Sequence, residues 1–227
     1  IMVMLGNPPY SGESNNKGKW ITDLIDCYKR EPGGKGKLKE RKTWLNDDYV
    51  KFTRLAEHYI ELNGSGVVGF INNNDFLDNP TFRGMRWHLL STFDDIYIVN
   101  LHGNSAKKEA APDGSADVNV FDIMVGVSIN IYVQTGKKKK GELATVHYAE
   151  AYGSRKSKYE LLDSRSLTSL PFETLSPHEP FYFFVNKDEE HSEEYNKFLS
   201  LADLFKINCT GILTARDNLD IDFTPQA

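Results

Sequence analysis

Three short apolar runs constrain this chain most: Ile1 to Leu5 (IMVML), Val67 to Ile71 (VVGFI) and Ile96 to Leu101 (IYIVNL). Each lacks the polar alternation of a half-exposed strand, so each suits a strand covered on both faces, as in a parallel sheet. Helical spacing fills the gaps between them. Trp20, Ile21, Leu24, Ile25 and Tyr28 predict a short helix. Asn46 or Asp47 can cap a second helix with Phe52, Leu55, Ala56 and Tyr59 on one face, ended by Asn63-Gly64. Asn79 and Pro80 read as N-cap and first position of a third, with Phe82, Met85, Leu89 and Phe93 on its buried face. The order strand, helix, helix, strand, helix, strand predicts an α/β fold with a mostly parallel sheet.

The pattern then changes. Gly103 to Asp117 reads as an exposed, mobile loop. Ile123, Val125, Val127, Ile129, Ile131 and Val133 alternate with Met124, Gly126, Ser128, Asn130, Tyr132 and Gln134, a long strand of period two. Leu143 to Ala149 can return beside it as an antiparallel hairpin. Beyond Tyr152 the alternation fades. Arg155, Lys156 and Lys158 form a basic patch, Phe181 to Val185 (FYFFV) an aromatic strand candidate, and Tyr195, Phe198, Leu199, Ala202 and Phe205 an amphipathic helix. A soft boundary near residues 150–165 divides a catalytic-motif part, 1–150, from a mixed α+β region, 151–227. The chain opens inside a core strand and stops at Ala227 without a closing element, so it is expected to be a piece of a longer protein.

Composition narrows the classes. With 40% hydrophobic and 26% charged residues, the chain is ordinary globular protein, and no apolar run approaches the ~20 residues of a membrane span. Two distant cysteines, Cys27 and Cys209, suit a reducing cytoplasm and are too few for a cysteine-rich zinc site. The six histidines show no metal-ligand spacing, so no metal is expected. The net charge of -5 argues mildly against non-specific nucleic-acid binding, although Lys35 to Lys42 and Lys137 to Lys140 are locally basic. Phosphate contact by the first cluster, on a mobile loop, and solvation of the second, at a hairpin tip, are the readings to test.

The chemistry lies in Asn7-Pro8-Pro9-Tyr10, directly after the first apolar run. An exocyclic amine of a nucleobase is a poor nucleophile because its lone pair is delocalised into the ring. Two rigid acceptors that take both N–H hydrogens draw the nitrogen toward tetrahedral geometry and free that lone pair. The Asn7 amide oxygen and the Pro8 carbonyl can be those acceptors. Pro8 and Pro9 fix φ and stiffen the loop, and Tyr10 offers a flat face to a base turned out of its helix. In open α/β sheets ligands bind beyond the carboxyl ends of strands, where the first strand delivers Asn7. The structural alternative is a plain turn, since Asn and Pro are turn formers.

The segment MVMLGNPPY resembles the catalytic motif of amino-group DNA methyltransferases, in the form typical of the adenine-N6 branch. Val67 to Leu77 (VVGFINNNDFL) and Phe82 to Leu90 resemble the next strand and helix of that family, and Val120 to Val133 a later strand motif. The leading aromatic of that motif, here Phe121, contacts the flipped base in the family, although an aromatic at the start of a strand is commonly core packing. Gly211 to Asp217 (GILTARD) resembles a segment of large single-chain restriction-modification enzymes. The resemblance implies the C-terminal part of a Rossmann-like methyltransferase sheet followed by the start of a target-recognition region. It implies S-adenosylmethionine as methyl donor, with Asn7 on the cofactor side. It further implies double-stranded DNA and the remaining domains of the parent polypeptide as partners. The family's glycine-containing cofactor turn and its ribose-binding acidic residue precede the Asn-Pro-Pro-Tyr motif and are not in this chain. The 227 residues alone are therefore expected to have little or no activity. Two other readings stay open: a non-catalytic DNA-recognition module, and a protein-glutamine methyltransferase, whose substrate is also a planar, poorly nucleophilic amide. Cytosine-N4 methylation fits less well, because its motif usually begins with Ser or Asp.

Overall fold

The computed structural model describes residues 2–207 except 13, 40–42, 140, 189, 196, 200 and 206. The expected features at Arg41, Lys42, Lys140, Cys209 and Gly211 to Asp217 lie outside the described residues. The chain divides into two compact units, Ile1–Asn186 and Lys187–Ala227. The first runs past the soft boundary expected at residues 150–165.

The first unit is α/β, built on one six-stranded mixed sheet in the order β1-β2-β4-β3-β5-β6. Strands β1 (Met2–Gly6) and β2 (Gly66–Asn73) are parallel, with Gly6 opposite Phe70. Strands β3 (Asp95–Asn100) and β5 (Thr145–Glu150) are also parallel. Strand β4 (Val127–Gln134) lies antiparallel between β2 and β3, and β6 (Glu173–Leu175) is antiparallel to β5. The long alternating strand is therefore antiparallel to its neighbours, but its expected hairpin with residues 143–149 does not form. Strand β3 has inserted between the two, and the return strand crosses to its far side. Period two reports which way side chains point and says nothing of which strand pairs with which.

Helices α1 (Lys19–Leu24), α2 (Asp48–Asn63) and α4 (Arg83–Thr92) follow the expected elements, and a one-turn α3 (Asp75–Asp78) follows β2. Gly64 closes α2 in the left-handed conformation, φ 77°. The Asn79 side chain caps the turn into α4 by accepting from Thr81 N–H. Phe82, Met85, Leu89 and Phe93 are all buried, as the spacing predicts. The expected face of α2 is corrected. Phe52 and Tyr59 are exposed, while Tyr49, Val50, Thr53, Ala56, Glu57 and Ile60 face inward. Polar residues occupy that stripe because partners satisfy them: Glu57 accepts from Tyr28 at 2.8 Å and pairs with Arg54 at 3.1 Å.

The main core lies between these helices and one face of the sheet, with Val68, Phe70, Ile96, Ile98, Tyr132 and Val146 among its members. A smaller cluster of Val99, Leu101, Val120, Val127 and Ala151 gathers separately, packed by Leu161 and Leu162 of α5 (Arg155–Ser164). On β4 the more buried face carries Ser128, Asn130 and Tyr132, and the apolar alternates Ile129, Ile131 and Val133 are half-buried. Ser128 and Asn130 tolerate this by bonding to each other. Residues 181–185 are not a strand. Phe184 is buried and its N–H reaches the Leu77 carbonyl at 2.8 Å. In the second unit two one-turn helices, α6 (Ser192–Tyr195) and α7 (Leu201–Leu204), replace the single helix expected there.

Candidate active site

Strand β1 ends at Gly6 and hands the chain directly to Asn7 at the carboxyl end of the parallel β1–β2 pair. Asn7 and Pro9 are exposed, Pro8 is buried and Tyr10 is half-buried. The Pro8 carbonyl accepts no hydrogen bond from a described residue. Tyr10 donates its hydroxyl to the Ile71 carbonyl at 2.9 Å and lies 3.2 Å from Asn7 Oδ1. The ring meets Tyr49 edge-on, with centroids 6.1 Å apart at 85°. Burial pushes the Tyr10 phenol up to about 12, so it stays a neutral donor at physiological pH.

A carboxylate that the sequence offers as a helix cap holds the following turn. Asp47 is the N-cap residue of α2, yet its side chain makes no cap bond. Instead Oδ1 accepts from Ser11 N–H at 3.0 Å and Oδ2 from Gly12 N–H at 3.1 Å. Asp48 accepts from the Ser11 hydroxyl at 2.9 Å. The Asn-Pro-Pro-Tyr turn is thus clamped at both ends, by β1 before it and by two charge-assisted bonds after it.

Phe121 lies just ahead of β4 and packs, like Tyr10, against the Val99–Leu101–Val127 cluster. The fold therefore brings both aromatics to one region. The Phe121 segment is irregular, and a buried network fixes it. Asn119 Oδ1 accepts from Phe121 N–H at 2.8 Å, and its amide donates to the Gly103 and Val125 carbonyls. Asp117 accepts from Gly103 and Gly153 N–H. Lys158, fully buried, pairs with Asp117 at 2.8 Å and donates to the Leu101 and Val118 carbonyls. The expected mobile loop Gly103 to Asp117 is in fact pinned at its end. The expected basic patch dissolves: Lys158 is buried, Arg155 holds Asp122 and the Asn119 carbonyl, and only Lys156 is largely exposed, at 84%.

The basic clusters separate likewise. Lys138 donates to the Leu90 and Ser91 carbonyls at 2.9 and 2.8 Å, closing the C-terminus of α4. It sits where β4 ends, opposite the end that carries Asn7. Lys35 and Lys37 make exposed pairs with Glu179 and Asp26. Among the histidines, His88 closes a network with Glu57, Arg54 and Glu61. The ligand atoms of Glu57, Glu61 and His88 lie within 4.8 Å of one another, but Arg54 already pairs with both carboxylates and His88 with Glu57. Desolvation alone would lower the His88 imidazole, yet Glu57 and Cys27 beside it raise it to about 10.

No family model and no curated protein matches the chain. Solved structures do. The chain is similar to the ATP-dependent Type ISP restriction-modification enzyme LlaBIII bound to DNA, at 26% identity and TM-score 0.69, over 85% of this chain and 13% of that one. It is similar to DrdV in a complex with DNA, at 27% and 0.71, over 88% and 19%. It also resembles a nuclease-deletion mutant of the Type ISP enzyme LlaGI with a DNA substrate mimic, at 24% and 0.65, over 83% and 16%, a likeness of fold alone. The chain thus spans under a fifth of the length of each of these polypeptides. Its α/β sheet is Rossmann-like, as the resemblance implies, but it is mixed where the sequence predicts mostly parallel: β1–β2 and β3–β5 are parallel, and the other three pairings are antiparallel because β4 runs against both its neighbours and β6 against β5.

Proposed function

We propose that this chain carries the amine-binding part of an S-adenosylmethionine-dependent DNA adenine-N6 methyltransferase, within a larger restriction-modification polypeptide. The observation that carries the reading is the placement of Asn7: an exposed amide at the end of a parallel strand, in a turn clamped by Asp47, beside a Pro8 carbonyl to which no described residue donates. The similarity to Type ISP enzymes bound to DNA supports the setting.

Asn7 Oδ1 and the Pro8 carbonyl accept the two amine hydrogens of a base turned out of the duplex. Tyr10 can release Asn7 without leaving its own hydroxyl unpaired, because the Ile71 carbonyl is its nearer acceptor. Tyr10 and Phe121 supply ring surface. The donor, when bound, supplies an electrophilic methyl carbon. The residues of this chain fit only its methyl-bearing side, at Asn7, since Asp47 is already held by two backbone N–H groups. The main donor site is assigned to the rest of the longer polypeptide. There is no helix among the described residues long and apolar enough to cross a membrane.

The test uses that longer polypeptide with labelled S-adenosylmethionine, offered duplex DNA or a glutamine-containing peptide. Label in DNA supports the reading, and label only in peptide overturns it. Sequence-selective duplex binding with no transfer under any donor concentration would assign a recognition module instead.

A further inference from the structure

Just past β3 the chain turns sharply at His102, which takes the left-handed conformation at φ 50°, and at Gly103, at φ 82°. A residue with a Cβ is strained there. The His102 ring is 6% exposed and stacks on Tyr152, with centroids 4.0 Å apart at 17°. Both of its nitrogens meet carboxylates. Nδ1 lies 2.7 Å from Glu109 Oε1, and Nε2 lies 3.2 Å from Glu150 Oε1.

Each carboxylate also accepts elsewhere. Glu109 Oε2 takes the Asn104 N–H at 2.9 Å, and Glu150 Oε1 takes the Tyr148 hydroxyl at 2.6 Å. Carboxylates held this way are ionised acceptors. Both ring nitrogens must therefore donate, and the ring carries two protons; a neutral ring would set one lone pair against a carboxylate. Desolvation alone would lower the imidazole, yet its bonds to Glu109 and Glu150 raise it above its usual 6.5. The other titratable groups around it already have partners. The Tyr152 hydroxyl lies 3.4 Å from Glu150, Lys107 pairs with Asp75 of α3 at 2.8 Å, and Asp117 pairs with Lys158 of α5.

The Phe121 segment hangs from this turn. A Cβ on Gly103 would lie 2.5 Å from the Asn119 Cα, so the two backbones are in contact. The Gly103 carbonyl accepts from the Asn119 amide, and Asn119 Oδ1 holds the Phe121 N–H.

We infer that His102 is a positioning residue for the proposed methyl transfer: its ring, clasped between Glu109 and Glu150, fixes the His102-Gly103 turn and, through Asn119, the Phe121 ring. It rests on the methyltransferase reading, which gives Phe121 its task at the base. The clasp is complete while the ring is charged. It loses one bond as pH rises through the raised value of the imidazole, so transfer falls on the alkaline side.

The test follows methyl transfer to duplex DNA by the longer polypeptide from acid to alkaline pH. As His102 loses its proton, kcat/KM is expected to fall about ten- to a hundredfold, the effect of misplacing a substrate-holding group. Glu109→Gln keeps the shape and removes the need for charge: a neutral ring then donates from Nε2 to Glu150 and accepts the new amide N–H at Nδ1. The alkaline fall should vanish in that variant. His102→Gln leaves one carboxylate without its donor and should lower transfer at every pH. In a Phe121→Ala background, Glu109→Gln should no longer alter the profile. An equal alkaline fall in the original and in Glu109→Gln overturns the clasp, as does an effect of Glu109→Gln that persists without the Phe121 ring. Hydrogen exchange at residues 118–121 gives a readout free of catalysis. Compared at each pH, exchange should be faster in the original than in Glu109→Gln on the alkaline side alone. Identical exchange overturns the clasp even where DNA is methylated, and the methyltransferase reading then stands. The expected exchange difference with no label in DNA supports the clasp and refutes the methyltransferase reading.

Discussion

Replacing Lys158 with Met should destabilise the first unit severely and loosen the Phe121 segment first. The ammonium is fully buried and bonds to Asp117 Oδ1 at 2.8 Å, the Leu101 carbonyl at 2.7 Å and the Val118 carbonyl at 2.9 Å. Methionine fills similar volume, so the cavity cost is small and the change isolates the charge. It strands a buried carboxylate and two carbonyls. Removing one partner of a buried pair costs ~3–5 kcal/mol. Asp117 keeps its bonds from Gly103 and Gly153 N–H, which places the cost toward the lower end. With a urea slope of ~2 kcal/mol per molar, the midpoint should fall by ~1.5–2 M. The double variant with Asp117→Leu should recover part of the loss, because coupling within such a pair is ~0.5–3 kcal/mol. Amide exchange at residues 118–125 should accelerate more than at β2 or β3. A midpoint shift below ~0.5 M, or loss in the double variant equal to the sum of the singles, would refute the role given to this pair.

Asp47→Ala should destabilise by ~2–4 kcal/mol through two charge-assisted bonds, read by denaturation, and should lower methyl transfer by the longer polypeptide by more than its folded fraction explains. Tyr10→Phe keeps the ring and loses one hydroxyl bond, so stability should drop by only ~0.5–1.5 kcal/mol; a larger drop would mean the ring itself has moved. Gly84→Ala places a Cβ 2.2 Å from the Arg30 carbonyl and 2.5 Å from that of Tyr28, and thermal melting should show a loss of ~1–3 kcal/mol. The His88–Glu57 pair sets a pH dependence. The imidazole is raised from its usual value of 6.5 to about 10, so its contribution is full below about pH 6.5 and is lost as pH rises through about 10. Relative to His88→Gln, stability should fall by up to ~1.4 kcal/mol per pH unit across that window; parallel curves would show that the imidazole is not charged in the folded protein.

Local signals in the sequence were read correctly where one element decides them. The apolar runs became β1, β2 and β3, Gly64 closed α2, and Asn79-Pro80 opened the turn into α4; β1, however, is not covered on both faces as its run predicts, since it is an edge strand with Val3 and Leu5 exposed. The Asn7–Tyr10 turn fell where the first run predicted, and Phe121 reached the cluster that Tyr10 touches. What failed depends on distant partners. The hairpin was wrong because β3 pairs with β4 through contacts some 35 residues apart, from Asp95 with Val133 to Asn100 with Ser128. The inward face of α2 differs because Thr53, Arg54 and Glu57 are satisfied there by Asn72, the Leu24 carbonyl and Tyr28 from other elements, besides the Arg54–Glu57 pair within the helix. Asp47 looks like any N-cap until the loop from β1 is folded onto it. Lys158 in a stretch of basic residues gives no hint of burial, since its partner Asp117 lies in what reads as an open loop. Arg86, fully buried, donates to the Phe76, Asn79 and Phe181 carbonyls with no carboxylate among those acceptors, and burial lowers it to about 9. No sequence pattern marks such a residue.

The most direct measurement is the identity of the methylated nucleoside made by the longer polypeptide and by its Asn7→Ala variant, after enzymatic digestion of the DNA. Asn7 is exposed and its substitution should change stability by no more than ~0.5 kcal/mol. The expected product is N6-methyladenine, reduced at least ~100-fold in the variant, the size of effect seen when one aligned polar group leaves a reacting centre. Methylcytosine as the product, or N6-methyladenine formed within a few-fold of the original rate without the Asn7 amide, would contradict it.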